Sequence, residues 1–175
     1  MRGESRSKVN AGSIHHLTIG VTNLEASMHF YCEGLGLRKT LDTVVGGASF
    51  ERLLRLPNGS TARTVFLQGE TRLGQIELVE WRTGVTESVN PKRPGSIGPC
   101  VFSFSVSSEE FDPVLLQLKE AGAIFWDEPV VSILDGYGEI TASIVEDPDG
   151  NVIEIVRLPS DDEIAQFRNK NQHGE

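Results

Sequence analysis

The sequence predicts an α+β fold of two βαβββ modules whose paired sheets form a cup of eight strands. Three observations carry that prediction. One succession, a strand, a capped helix and three further strands, runs twice along the chain. The closing strands of the two runs share wording, Gln75-Ile76-Glu77-Leu78-Val79 against Val152-Ile153-Glu154-Ile155-Val156, and self-similarity of this kind reads as duplication. Eighteen glycines among 175 residues supply the turns that many short strands require.

Residues 1–13 are polar, carry both charge signs and read as a disordered tail. The first module spans 14–82. Ile14–Val21 alternates, with Leu17, Ile19 and Val21 on one face and His16, Thr18 and Gly20 on the other, the pattern of a half-buried strand. Thr22-Asn23 caps a helix over Leu24–Glu33, and Gly34 ends it. Strands follow at Leu37–Val45, Thr61–Gln68 and Gln75–Trp81, with a short helix over Phe50–Leu56 before the Pro57-Asn58-Gly59 turn.

Residues 83–99, rich in proline and glycine, read as a linker. The second module spans 100–158. Cys100–Val106 places Phe102, Phe104 and Val106 on one face and Val101, Ser103 and Ser105 on the other; a helix over Glu109–Ala121 stops at Gly122. Ala123–Leu134, Glu139–Glu146 and Asn151–Arg157 supply three strands, with turns at Asp135-Gly136 and Asp147-Pro148-Asp149-Gly150. Residues 159–175 read as a C-terminal tail, in which Ile164 and Phe167 could anchor one helical turn.

Composition narrows the function classes. A formal net charge of −9 repels phosphate backbones and anionic membranes, so neither nucleic acid nor a membrane is expected as a partner. No apolar run approaches the length of a membrane span, and no apolar stretch marks a secretory leader. Cys32 and Cys100 lack metal-type spacing and are too few for a disulfide framework, so both read as free thiols in a cytoplasmic protein.

Two carboxylates are the most informative residues. In Ile76-Glu77-Leu78 and Ile153-Glu154-Ile155 the apolar neighbours point to the helix side, so the two-residue period sends Glu77 and Glu154 into the cup, where His16 also faces. A carboxylate in such a place needs a cation, a donor network or a raised pKa, because desolvation disfavours its charged form. Trp81 shares the parity of Glu77, and Arg63 and Tyr137 are weaker site candidates.

Ile14-His15-His16-Leu17-Thr18-Ile19-Gly20-Val21, Asn23-Leu24, Phe30-Tyr31, Leu35-Gly36-Leu37, Gln75-Ile76-Glu77-Leu78 and Asp147-Pro148-Asp149-Gly150-Asn151 before Ile153-Glu154 occur in an order that resembles the vicinal oxygen chelate superfamily. That superfamily includes glyoxalases, epimerases, extradiol dioxygenases and bleomycin-resistance proteins. The resemblance runs from about Ile14 to Leu158. It implies metal ligands His16, Glu77 and Glu154, with Val101 where glyoxalase and epimerase members carry a second histidine. A valine cannot bind an ion. The implied cofactor is a divalent metal ion, with manganese, iron, magnesium, nickel and zinc all open.

The resemblance further implies an isomerase, epimerase or lyase acting on a small oxygenated substrate by metal-assisted, enolate-type proton transfer, with Glu154 and Glu77 as the eligible catalytic bases. It also implies a homodimer, and leaves open whether the cup closes within one chain or between two. The alternatives are a metal-free small-molecule-binding, drug-sequestering protein and a natural-product tailoring enzyme on the same fold.

Overall fold

The computed structural model describes residues 11–84, 91, 93–134 and 137–172. The expected Asp135-Gly136 turn, most of the expected N-terminal tail and part of the linker lie outside the described residues.

In the first half, β1 (His16–Gly20) leads to α1 (Leu24–Met28), whose cap Asn23 accepts from the Ala26 amide at 3.0 Å. The helix continues as a π-helical turn over His29–Gly34, in which Leu35 N–H donates to the carbonyl of Phe30. This wider turn carries Phe30 and Tyr31 into the core, where both are buried. The left-handed residue that stops it is Gly36, at φ 69°. Gly34, the expected stop, serves close packing instead: a Cβ there would lie 3.0 Å from Leu118 Cδ2.

Next come β2 (Arg38–Gly46), α2 (Ala48–Leu54), β3 (Thr61–Gln68) and β4 (Gln75–Thr83). They make a four-stranded sheet in the order β1-β4-β3-β2, with β1 parallel to β4 and the other pairs antiparallel. The second half repeats the plan with β5 (Phe102–Val106), α3 (Phe111–Glu120), β6 (Ile124–Phe125), β7 (Val130–Leu134), β8 (Gly138–Glu146) and β9 (Val152–Arg157). Its sheet order is β5-β9-β8-β6, with β7 also on β8.

The single strand expected over Ala123–Leu134 is broken. β6 pairs with Val145 and Glu146 of β8, and β7 pairs with Gly138–Ala142, so the two are pieces of one interrupted edge strand. Pro129 stands in the gap, where it can donate no ladder bond. Counted as positions in the sheets, the chain therefore has the eight strands of two βαβββ units.

The C-terminal segment also departs from expectation, because Asp161–Gln172 forms helix α4. Ser160 and Glu163 make a reciprocal capping box: Ser160 N–H donates to Glu163 Oε2 at 2.8 Å and Glu163 N–H donates to Ser160 Oγ at 3.3 Å. Arg157 pairs with Glu163, and Pro159 and Phe167 lie over Gly138.

One hydrophobic core joins the halves: Ile19, Tyr31, Leu67 and Leu78 are contiguous with Leu118, Ile153 and Ile155. Polar bonds reinforce it. Tyr31 Oη donates to Asp147 Oδ2 at 3.0 Å, and Thr22 donates to Asp149 through its amide and, at 2.6 Å, through Oγ1. Both sheets thus turn their helix-bearing faces to a common core, and both carboxylate-bearing faces point away from it.

Leu118 is fully buried where α3 meets the π-helical turn. Leu118→Ala is expected to lower the unfolding free energy by about 2–5 kcal/mol, read as a shifted denaturant midpoint at unchanged slope.

Candidate functional site

Strand register decides which side chains share the face of Glu77. Thr18 stands opposite Glu77 across the β1–β4 ladder, and Phe66 stands opposite it across the β3–β4 ladder. Thr18 Oγ1 donates to Glu77 Oε2 at 2.5 Å, and Thr64 Oγ1 donates to Oε1 at 2.8 Å. Thr64 is buried, whereas the Glu77 side chain keeps 18% of its exposure, enough for one edge to meet a ligand.

His16 stands two residues before Thr18 on the same face. Its Nε2 lies 3.5 Å from Glu77 Oε2, and its ring meets Phe66 edge-on at 5.2 Å between centroids. His16 Nδ1 is 2.8 Å from His15 Nδ1. One proton fits between those two nitrogens, so one ring donates and the other accepts. When His15 is the donor and His16 is neutral, His16 carries its proton on Nε2, toward Glu77.

The second half repeats half of this arrangement. Ser103 lies opposite Glu154 and donates to it through Oγ, as Thr18 does to Glu77. The remaining counterparts differ. Val101, one residue before the Phe102–Ile153 pair, takes the place of His16; Ala142 takes that of Thr64, and Ile144 that of Phe66.

The structure therefore brings His16 and Glu77 together and places Glu154 in a separate cluster with Ser103. Among the described residues, no group of three or more His, Cys, Asp or Glu side chains is placed to hold one ion. The donor set points the same way: both oxygens of Glu77 already accept hydroxyl hydrogens, and the position matching His16 in the other half is a valine. The expected set His16, Glu77 and Glu154 does not fit a metal centre within one chain.

Three hydroxyls, Thr18, Thr64 and Ser103, touch the two carboxylates and were left unassigned by sequence reasoning. Their signal was present for two of them: Thr18 and Ser103 share the parity of His16 and Val101. Trp81 lies on the Glu77 face, with the Phe50 ring of α2 tilted beside it at 6.1 Å between centroids. Arg63 is turned to the helix side, where it is bound by Asp42 at 2.8 Å and Glu25 at 2.7 Å; those bonds to Arg63 hold the Asp42 carboxyl well below the usual carboxylate range. It is thus withdrawn from the site. Tyr137 N–H closes onto the carbonyl of Leu134. A separate groove of about 520 Å³ lies beside α3, lined by Leu115, Phe125 and Trp126 among others, and neither Glu77 nor Glu154 is part of its lining.

The family model for the Glyoxalase/Bleomycin resistance protein/Dioxygenase superfamily matches residues 13–155. Among solved structures, a glyoxalase family protein from Bacillus cereus is similar at 19% identity and a TM-score of 0.74, covering 89% of this chain and 100% of that one. A virulence protein from Salmonella typhimurium is similar at 23% identity and a TM-score of 0.53, covering 86% of this chain and 100% of that one. A glyoxalase family protein from Enterococcus faecalis is similar at 22% identity and a TM-score of 0.53, covering 82% and 96% of the two chains. At these identities the structures establish the shared fold.

Thr64→Val keeps the shape of a buried residue and removes one of the donors to Glu77. It is expected to cost about 1–3 kcal/mol of stability, and Thr64→Ser is expected to recover most of it; equilibrium denaturation of both variants checks this.

Proposed function

The chain belongs to the Glyoxalase/Bleomycin resistance protein/Dioxygenase superfamily, and on that footing we propose that its carboxylate-bearing surface binds a small oxygenated molecule and moves a proton at the carbon beside a carbonyl. The observation that carries this reading is the contact of His16 with Glu77. An imidazole next to an oriented carboxylate is a serviceable acid–base pair, because both groups can take up and return a proton at a fixed place. Thr18 and Thr64 hold Glu77 in place through the donors they give it, and His15 supplies a second nitrogen through which the proton can leave. The developing oxyanion on the substrate would meet the protonated ring.

An isomerase, epimerase or lyase are the forms this chemistry takes most directly. The metal-assisted form calls for Glu154 to join His16 and Glu77, a grouping not assembled among the described residues, and no step here runs through an ion. A second reading, binding without turnover as in a drug-sequestering protein, draws support from Val101, Ala142 and Ile144 around Glu154. These give the second half an aliphatic setting with no acid–base pair.

Solvent deuterium exchange separates the readings. The protein is incubated in D₂O with a panel of small 2-oxo and 2-hydroxy carbonyl compounds, and label at the carbon next to the carbonyl is followed by proton NMR. Exchange by at least one compound is expected, with a loss of about 10²- to 10⁴-fold in His16→Gln and Glu77→Gln. Exchange that persists in both variants would sink the acid–base assignment. Metal quantification on protein purified without chelator tests the ion-dependent form: stoichiometric metal lost in Glu154→Gln would restore Glu154 to a shared centre.

A further inference from the structure

The two carboxylate-bearing faces are equivalent in register and opposite in character. Around Glu77 lie His16, Thr18, Thr64 and Gln75. Around Glu154 the corresponding positions are Val101, Ser103, Ala142 and Val152. Farther out on the same face, β7 presents Val130 opposite Ala142, with Ser132 and Leu134 further along it. Val130 is 58% exposed, so the aliphatic surface nearest Glu154 is uncovered among the described residues. Trp126 follows β6 beside it, 43% exposed.

The charges on this face are unequal. Glu146 accepts from Arg93 at 2.5 Å and from Trp126 Nε1 at 2.7 Å, and the bonds to Arg93 and Trp126 hold its carboxyl below the usual range. Arg93 also lies over the Trp126 ring at 5.7 Å from the centroid. Glu154 receives a neutral hydroxyl from Ser103. A carboxylate with a neutral donor, set in an aliphatic surface on a chain of net charge −9, complements a cation attached to hydrocarbon.

We propose that the second-half face seats an aliphatic amine, its hydrocarbon body on Ile144, Ala142 and Val130 and its ammonium on Glu154. This deepens the function proposed above and rests on its first part, that the carboxylate-bearing surface binds a small molecule. The ligand class is a small molecule with a hydrocarbon arm that carries a protonated nitrogen.

The probes are n-hexylammonium, n-hexanol and hexanoate. The chain holds two tryptophans, so Trp81→Phe leaves Trp126 as the sole indole, and its emission reports on this face. Saturable binding of hexylammonium about tenfold tighter than of hexanol is expected, with hexanoate weaker than both. In Glu154→Gln that preference should vanish, whereas in Glu139→Gln, which removes the same charge from the opposite face of β8, it should persist. Ile144→Ser should weaken hexylammonium and hexanol alike, which keeps the proposal testable should Glu154→Gln fail to fold.

Equal binding of the three probes, or a preference that survives Glu154→Gln, overturns the proposal. A dimer in sedimentation that Leu134→Lys splits also overturns it, because a second copy then covers the face. His16→Gln separates this inference from the acid–base reading: it should abolish deuterium exchange and leave hexylammonium binding unchanged. Amine selectivity without any deuterium exchange would leave this inference standing and remove the reaction.

Discussion

The arrangement of this protein depends on the junction between its halves. Tyr31, carried inward by a π-helical turn of the first half, gives its hydroxyl hydrogen to Asp147 in the β8–β9 turn of the second. Asp147 is buried, and it also accepts from the amides of Asp149 and Asn151 and from the Asn151 side chain. Burial nevertheless pushes its carboxyl above the ordinary range, so desolvation outweighs the donors that oppose it. A buried acid of this kind is tolerated only where its donors are fixed, and these come from both halves. Thr22 adds its bonds to Asp149, and α3 packs directly on Gly34. With one core between them, neither sheet is free to turn its carboxylate face inward.

That geometry gives each carboxylate a local solution. A metal ion is one way to stabilise acids in the middle of a strand, and hydroxyl donors from adjacent strands are another. Glu77 takes two hydroxyls and an imidazole neighbour; Glu154 takes one hydroxyl and aliphatic surroundings. Duplication supplied two equivalent positions, and three substitutions in register, valine against histidine, alanine against threonine and isoleucine against phenylalanine, made them unlike. Function on this fold is therefore read from the residues that flank the acids, since the acids themselves recur in both halves.

Much of the architecture was legible in the sequence because it follows from local periodicity. The alternation in 14–21 and 100–106 assigned each face correctly, and the parity of Glu77 with His16 held, since period two is a property of the strand itself. What escaped were features set by distant or unusual partners. The π-helical turn leaves no periodic mark, the capping box at Ser160 was obscured by a polar, acidic helix, and the break at Pro129 fell inside a segment read as one strand.

The sequence by itself determined the two βαβββ units, their order and the face on which His16, Glu77, Trp81 and Glu154 stand, because these depend on neighbours one to four residues away. Only the tertiary structure decided that Thr18 and Thr64 hold Glu77, that Ser103 holds Glu154, and that Glu154 stands apart from His16 and Glu77. Those outcomes depend on strand register and on how the halves are joined, and pairings between residues as far apart as Thr18 and Glu77 or Tyr31 and Asp147 are settled by packing of the whole chain.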